Sequence, residues 1–273
     1  MPLPLSPQVF SIIAHLIEER TGLHYEPASA DLLADRVSDR ATELGLDSML
    51  DYYYFLRYDP GGAHELQVLA ETLVVHETYF FREIAPLEVL VESIISEMLR
   101  TRPRIRIWSA ACATGEEPYT LAMMLSKIDL LDRVEIVASD LSTRALAKAQ
   151  TGVYAGRSLR SLPPFTATSG LLEETPTGMR VPDFLRRPIT WTALNLIDDR
   201  AIRELGQFDV VLCRNVLIYF SEPTVAHVAA NLGAALRPEG VLLVGASESL
   251  LRFGTLFACE ERGGSFFYRK VGA

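Results

Sequence analysis

The chain has 273 residues, 49% of them hydrophobic, so one large domain or two unequal domains with a sizeable core are expected. Its formal charge of −9 argues against general nucleic-acid binding. No apolar run approaches the roughly 18 residues of a membrane span, and the N-terminal MPLPLSPQVF lacks the features of a signal peptide. We therefore expect a cytoplasmic protein without direct membrane insertion.

The cysteine and histidine patterns favour neither disulfides nor a metal site. Cys112, Cys213 and Cys259 are far apart and odd in number, which is typical of reduced thiols in a cytosolic protein. The histidines lack the paired spacing of zinc ligands. Because no heptads indicate a coiled coil, a monomer is expected.

Residues 1–73 are predicted to form a small all-helical domain. Ser6-Pro7 starts a first helix, and Gly22 ends it. Three more helices are expected at about 29–44, 48–58 and 63–73. Four arginines stand against eleven acidic residues between Glu18 and Glu65, so about −7 of the formal charge lies here. A solvated acidic surface accounts for this charge without a partner.

Residues 74–103 are predicted to form a linker segment followed by a helix. The stretch Thr72–Glu83, TLVVHETYFFRE, concentrates aromatic and charged side chains to a degree that a plain linker does not need. We expect its aromatic residues to pack, while Thr78 and Arg82 point into a cleft.

The segment Ile105–Tyr119, IRIWSAACATGEEPY, predicts a buried strand, a tight turn of small residues and the start of a helix. Small side chains let a ligand approach the backbone, and the free N–H groups of a helix start favour polar or anionic atoms. An ordinary strand–helix turn is the alternative, because Gly115 alone falls far short of a G-x-G-x-x-G motif.

Polar residues also follow the later strands. Val134–Asp140 is predicted as the second strand, and its final acid lies about 25 residues after Gly115, where many nucleotide folds hold a ribose diol. Alternatively, Asp140 caps the next helix. In Phe208–Phe220, the residues Arg214 and Asn215 arrive where a strand meets the cleft. Burying both without partners would be costly.

The remaining segments complete the predicted domain, residues 104–273. Periodicity fades over residues 156–187, and an inserted β-subdomain that influences substrate choice is expected at about 156–194. Within it, Ile189–Leu194 is expected to return the chain into the third core strand. Residues 237–240 indicate a turn before a strand at 241–245. Ser265–Lys270 is expected as a hairpin strand near the sheet edge.

The alternation of strands and helices from about 104 to 245 predicts a doubly wound α/β sheet. No lysine follows a glycine-rich loop and no G-x-S-x-G occurs, which argues against an NTPase and an α/β-hydrolase. An acid after the second strand and small residues after the first suit a nucleoside that carries a sulfonium and an amino-acid tail.

Six stretches carry a family resemblance and occur in family order over about residues 6–270: HETYFFRE, WSAACATGEEPYT, ASDLS, Asn195-Leu196, FDVVLCRNVLIYF and LRPEGVLLVGASESL. With them the chain resembles the chemotaxis-receptor methyltransferases (CheR). These enzymes transfer a methyl group from S-adenosylmethionine to receptor glutamates, giving glutamate methyl ester and S-adenosylhomocysteine.

The resemblance implies a class I methyltransferase sheet with an inserted β-subdomain, preceded by an all-α domain. It also implies a partner, the cytoplasmic helical region of methyl-accepting chemoreceptors. Tyr219 matches a family residue near the methyl-transfer site, where it would donate a hydrogen bond or only pack beside Phe220. Arg82 matches a cofactor contact, and we expect its guanidinium to orient the carboxylate of the acceptor or of the cofactor. The implied cofactor-binding residues are His76, Thr78, Arg82, Glu117, Asp140, Asn195, Leu196, Arg214 and Asn215.

The chain departs from the family pattern in four places, and one of them is the turn Ala110–Thr114, which has fewer glycines than in some members. His76 stands where asparagine is common, and Ala246 stands where histidine is frequent. The second helix keeps Arg36 and Arg40, but acids surround them. Two alternatives follow for function: a methyltransferase of small molecules, or a non-catalytic signalling module that binds S-adenosylmethionine.

Overall fold

The structure is a computed structural model that describes residues 3–167, 169–253 and 257–271. The chain divides into two compact units. The helical unit comprises Met1–Val75 and Tyr219–Val225, and the sheet unit comprises His76–Ile218 and Ala226–Ala273. Within the described ranges, no helix has the length and apolar character that a bilayer crossing requires.

The helical unit contains the four helices α1 (Pro7–Thr21), α2 (Ala30–Glu43), α3 (Met49–Tyr58) and α4 (Gly62–Leu73). Ser6 caps α1 by accepting from the N–H of Val9, and Gly22 ends it with φ of +81°. Their apolar faces enclose one core, which includes Ile13, Ile17, Leu33, Val37, Tyr52 and Leu69. The N–H of His24 donates to the Tyr219 carbonyl over 2.9 Å, which fixes the 219–225 segment to this unit.

Both arginines of α2 bind within the helical unit. Arg40 donates from Nε and Nη2 to the two carboxylate oxygens of Glu65, over 2.9 and 2.6 Å. Glu65 is buried and also accepts from the Tyr52 hydroxyl over 2.7 Å. Burial and this hydrogen bond raise the pKa of Tyr52. Arg36 donates to the Thr72 carbonyl. These arginines therefore stabilise the packing of α2 against its neighbours.

The sheet unit is built on a seven-stranded sheet in the order β6-β2-β1-β7-β8-β10-β9. The five parallel strands are β1 (Ile105–Ala110), β2 (Val134–Asp140), β6 (Ile189–Ala193), β7 (Phe208–Cys213) and β8 (Leu236–Val244). The antiparallel hairpin of β9 (Phe257–Arg262) and β10 (Ser265–Lys270) completes it. The small antiparallel sheet contains β3 (Val153–Tyr154), β4 (Glu173–Thr175) and β5 (Gly178–Arg180).

Helices flank the large sheet. α5 (Ile84–Val89) continues through a π-helical segment, Leu90–Ile95, into α6 (Ser96–Thr101). The further helices are α7 (Glu116–Lys127), α8 (Thr143–Thr151), α9 (Asp183–Arg186), α10 (Asp199–Glu204) and α11 (Glu222–Ala235).

The strand order fixes where a ligand is expected to bind. The chain runs from β1 outward through β2 to β6, and then returns to add β7 and β8 on the other side of β1. Ligands of open α/β sheets bind at such a reversal, outside the carboxyl ends of the strands. The predicted architecture is confirmed: a doubly wound, mainly parallel sheet, an extra small sheet and an all-helical region before them in the chain.

One expected boundary is wrong. Residues 237–240 do not form a separate turn, since β8 already begins at Leu236. The register shifts there: Phe208 of β7 pairs with Leu236, but Val210 pairs with Val241. Glu239 takes φ of +62° within this irregular part. Because β8 pairs with β7 both before and after residues 237–240, these residues form a bulge within the strand and not the turn that the sequence predicts.

Candidate active site

The loop after β1 is held in an unusual conformation. Ala111 and Ala113 have φ of +54° and +47°, and Gly115 has φ of +92°. Non-glycine residues rarely take such angles, and they do so where neighbouring contacts impose them. The Cys112 N–H donates to the Ser139 carbonyl over 2.9 Å, and the Ala113 N–H donates to Asp140 Oδ2 over 2.7 Å. The end of β2 therefore shapes the loop that follows β1.

Gly115 is required by both its angle and its surroundings. A Cβ added here would lie 2.7 Å from the Ala149 Cβ and 2.8 Å from Cη2 of Trp191. We expect Gly115→Ala to lower the free energy of unfolding by about 2–4 kcal/mol, because strain and overlap add. Urea denaturation measures this loss.

The matched control for this prediction is Gly156→Ala. Gly156 also has a positive φ, +58°, but a Cβ added there would meet nothing within 4 Å. The free energy of unfolding should therefore fall by only about 1–2 kcal/mol in Gly156→Ala. Equal losses in the two variants would contradict the close-packing argument for Gly115.

Asp140 is almost fully buried at the end of β2. Its Oδ2 accepts from the Ala113 N–H, and its Oδ1 accepts from the Ser142 N–H over 2.9 Å. The side-chain cap of α8 is Ser142, whose Oγ accepts from the Ala145 N–H. Asp140 is therefore not the helix cap that the sequence offered as an alternative. A carboxylate can accept several hydrogen bonds, which is the chemistry that recognition of a diol needs.

Arg214 links the ends of three chain segments. Its side chain is only 3% exposed. Nη1 donates to Glu117 Oε2 over 3.0 Å, and Nη2 donates to Glu83 Oε2 over 3.1 Å and to the Arg82 carbonyl over 2.9 Å. Glu117 Oε1 in turn accepts from the Ser109 hydroxyl over 2.7 Å. Although burial opposes ionisation, the charge of Arg214 and further hydrogen bonds hold the pKa of Glu83 below its usual value.

Two carboxylates, one of them also bound to Arg214, hold Asn215, which has φ of +59°. Its Nδ2 donates to Glu83 Oε1 over 3.2 Å, and its backbone N–H donates to Glu248 Oε2 over 2.8 Å. Glu248 also accepts from the N–H groups of Leu217 and Gly245, each over 2.7 Å. Sequence reasoning missed Glu83 and Glu248 as site residues. Both lie inside quoted motifs, HETYFFRE and LRPEGVLLVGASESL, which was the available signal.

The loop after β6 reaches the same edge of the sheet. The Leu194 N–H donates to the Asp140 carbonyl over 3.0 Å. Asn195 is half-buried, and its Oδ1 accepts from the Ile197 N–H over 3.2 Å. Leu196 is buried, and its carbonyl accepts from Nδ2 of Asn231 over 3.1 Å. Asn195 and Leu196 therefore come directly after the residue whose N–H binds the Asp140 backbone.

The segment from His76 to Glu83 is anchored by its backbone. The Phe80 N–H donates to the Ser158 carbonyl over 2.9 Å, and the Phe81 N–H donates to Thr120 Oγ1 over 3.1 Å. Thr78 and Arg82 are half-buried.

Tyr219 is described with the helical unit, where its ring packs against the apolar core. This contact agrees with the packing role that the sequence left open. The catalytic role expected for Tyr219 stays a prediction.

Within the described ranges, two buried side-chain atoms have no hydrogen-bond partner, His76 Nε2 and Arg214 Nε. An unpaired buried polar group costs about 1–3 kcal/mol, so a polar ligand that pairs with it would relieve this cost. Together with the Asp140 carboxylate and the small-residue loop, these atoms fit a ligand that carries hydroxyl, amine and carboxylate groups. S-adenosylmethionine is such a ligand.

The cysteines do not add a nucleophile here. Cys112 and Cys213 are fully buried, and burial raises the pKa of both thiols. A thiol held protonated at neutral pH is a poor nucleophile and a poor metal ligand. The described residues also include no group of three or more histidine, cysteine or acidic side chains placed to hold a metal ion.

Comparison with known proteins identifies the family. Residues 8–74 match the all-alpha domain of CheR methyltransferases, and residues 76–263 match their SAM-binding domain. Chemotaxis protein methyltransferase 2 of Vibrio cholerae is 35% identical over 245 residues, 88% of this chain and 84% of the relative. Chemotaxis protein methyltransferase 2 of Pseudomonas aeruginosa is 35% identical over 248 residues, 89% of this chain and 86% of the relative.

These matches confirm the predicted family and the predicted cofactor, S-adenosylmethionine. They cover both the helical and the sheet-forming parts of the chain. The chain therefore belongs to the CheR methyltransferase family.

Proposed function

We propose that this protein transfers a methyl group from S-adenosylmethionine to glutamate side chains of methyl-accepting chemoreceptors. The products are glutamate methyl ester and S-adenosylhomocysteine. The observation that carries this proposal is the polar edge at the strand reversal, with Asp140, Glu117 and Arg214 fixed in a segment that matches a SAM-binding domain. The relatives named chemotaxis protein methyltransferase support the receptor as substrate.

We assign the cofactor-binding role to residues of the sheet unit. Asp140 would accept from the ribose hydroxyls, because its carboxylate ends the strand next to β1 at the strand reversal. Arg214 and Glu117 would hold the polar tail beside the β1 loop. The full proposed set is His76, Thr78, Arg82, Glu117, Asp140, Asn195, Leu196, Arg214 and Asn215.

The proposed reaction needs positioning more than acid–base chemistry. When bound, the cofactor supplies an electrophilic methyl group on a positively charged sulfur. The acceptor glutamate is already ionised near neutral pH, so the chain need not remove a proton from it. Orientation alone can contribute several kcal/mol to such a transfer. We assign this orienting role to Arg82, because a guanidinium pairs with carboxylates in a fixed geometry.

We propose a division of labour along the chain. Residues 1–73 form the helical domain, 74–103 connect it to the catalytic part, and 104–273 form the methyltransferase domain with an inserted subdomain at about 156–194. The protein would act as a cytoplasmic monomer on the helical cytoplasmic region of receptors, without inserting into the membrane.

Calorimetric titration with S-adenosylmethionine and S-adenosylhomocysteine tests the cofactor site. We expect the wild type to bind both, and Asp140→Ala to weaken binding about 10–100-fold, because charge-assisted hydrogen bonds are lost. Asp132→Ala is the control, since Asp132 is an exposed acid of the same unit and should leave binding unchanged. If well-folded wild type bound neither ligand, the site assignment would be wrong.

Methyl transfer then separates the proposed function from its alternatives. A labelled methyl donor should label glutamates of a receptor fragment. A methyltransferase of small molecules would turn over the donor without labelling any receptor fragment. A non-catalytic signalling module would bind the donor without turnover.

A further inference from the structure

Two arginine side chains of the sheet unit lie over one aromatic ring, that of Tyr79. The guanidinium carbon of Arg160 lies 3.9 Å from the Tyr79 ring centroid, and that of Arg82 lies 5.9 Å from it. Glu77 contacts both arginines: its carboxylate accepts from Arg160 over 3.3 Å, and its carbonyl accepts from Arg82 over 2.8 Å. We call these four residues, Glu77, Tyr79, Arg82 and Arg160, the Tyr79 cluster.

The Tyr79 cluster is fixed to the candidate site by its backbone. Next to Tyr79, the Phe80 N–H donates to the Ser158 carbonyl, two residues before Arg160. The Phe80 ring packs edge-on against Tyr154, with centroids 4.9 Å apart. On the other side, the Arg82 carbonyl accepts from Arg214, which also binds Glu117. The cluster therefore continues directly into the proposed cofactor residues.

Both guanidiniums keep most of their hydrogen-bonding capacity. A guanidinium has several N–H donors, and in the described part of the chain Arg82 and Arg160 each make a single hydrogen bond. The cation–π contacts with the Tyr79 ring use none of those donors. The Arg160–Glu77 pair is exposed, with side chains 38% and 63% accessible, so another carboxylate could replace Glu77 at little cost.

Charge is unevenly divided between the two units. The helical unit has 4 arginines against 13 acidic residues, whereas the sheet unit has 22 basic and 22 acidic residues. The net negative charge of the helical unit repels an acidic substrate, whereas the sheet unit, with equal numbers of basic and acidic residues, does not. A local cationic surface in the sheet unit is therefore the better place for carboxylates to bind.

We propose that the Tyr79 cluster binds an acidic α-helix through Arg160, which pairs with a carboxylate one helical turn from the methylated glutamate. Side chains one turn apart share a helix face with Cβ atoms about 5–6 Å apart, so neighbouring guanidiniums can take them together. This inference rests on the proposed function and adds a substrate preference: acceptor glutamates with an acidic neighbour on the same face.

The first test compares methyl transfer to a receptor fragment by wild type and Arg160→Ala. The KM for the fragment should rise about 5–10-fold in the variant, while kcat and the affinity for S-adenosylmethionine stay unchanged, because one charge-assisted contact to substrate is lost. Arg160→Lys should restore part of the loss. Arg200→Ala is the control, since Arg200 is 85% exposed and pairs with Glu204 on its own helix.

A second measurement separates binding from a structural effect. A fragment with glutamine in place of the acidic neighbour should raise the KM of wild type, but leave that of Arg160→Ala as it was. Independent, additive effects would overturn the inference, and so would an unchanged KM in Arg160→Ala. If wild type bound the cofactor but methylated no receptor fragment, the proposed function itself would fail and the inference with it.

Discussion

Arg214→Leu is expected to lower the free energy of unfolding by about 3–5 kcal/mol, because it leaves two half-buried carboxylates without their buried counter-charge. Arg214 is 3% exposed and pairs with both Glu83 and Glu117. Its contact with the Arg82 carbonyl is lost as well. Urea denaturation followed by circular dichroism measures the change. Arg200→Leu, which breaks an exposed ion pair, should cost less than about 1 kcal/mol.

The loss in Arg214→Leu should also depend on pH. In the wild type the pKa of Glu83 is lowered, so the stability that this carboxylate contributes is present above its unfolded pKa of roughly 4.3 and is lost as pH falls. Without Arg214, the charge that lowers the pKa of Glu83 is gone, so this carboxylate contributes less of that stability at neutral pH. The deficit should therefore be larger at about pH 7 than at about pH 4.

Neutralising Glu83 checks this interpretation. In the Arg214→Leu background, Glu83→Gln removes one unpaired charge and should recover part of the lost stability at neutral pH. In the wild-type background the same change should destabilise, because Arg214 loses a partner. A deficit that is independent of pH, or a double variant less stable than Arg214→Leu, would contradict the assigned role of the ion pair.

The sequence predicts the sheet well because its information is local. Ile105–Ala110 and Phe208–Cys213 are short apolar runs, and both are central buried strands. Asp140 was expected at the end of the second strand, and it lies there. Its partner, the Ala113 N–H, was not predicted, because a hydrogen bond across 27 residues depends on how the β1 loop folds.

The pairing of Glu83 and of Arg40 was not predicted, for the same reason. Glu83 ends an aromatic segment that the sequence predicts as a linker. It nevertheless binds Arg214 and Asn215, more than a hundred positions later in the chain. Arg40 lies among acids on a surface helix, but Glu65 of another helix holds it. Side-chain pairing of this kind is set by tertiary packing, which periodicity and motif order do not encode.

Arg82→Ala is expected to lower kcat for methyl transfer about 100-fold or more, because a misplaced acceptor forfeits most of the benefit of orientation. The substitution leaves the Arg82 carbonyl in place to accept from Arg214, so the protein should keep its fold. Among the described residues the side chain makes one hydrogen bond, to the Glu77 carbonyl, and the loss of stability should stay below about 1 kcal/mol. Single-turnover transfer of a labelled methyl group to a receptor fragment measures the rate of the chemical step.

Arg82→Lys distinguishes orientation from charge alone. Lysine keeps the positive charge but lacks the planar fork that fixes a carboxylate, so kcat should recover only in part. Full recovery would reduce the role of Arg82 to electrostatic attraction. Wild-type turnover by Arg82→Ala, with unchanged affinity for S-adenosylmethionine, would remove Arg82 from the proposed catalytic residues. The acceptor would then have to be oriented by other groups, and the Arg160 contact would have to do so without the arginine beside it on Tyr79.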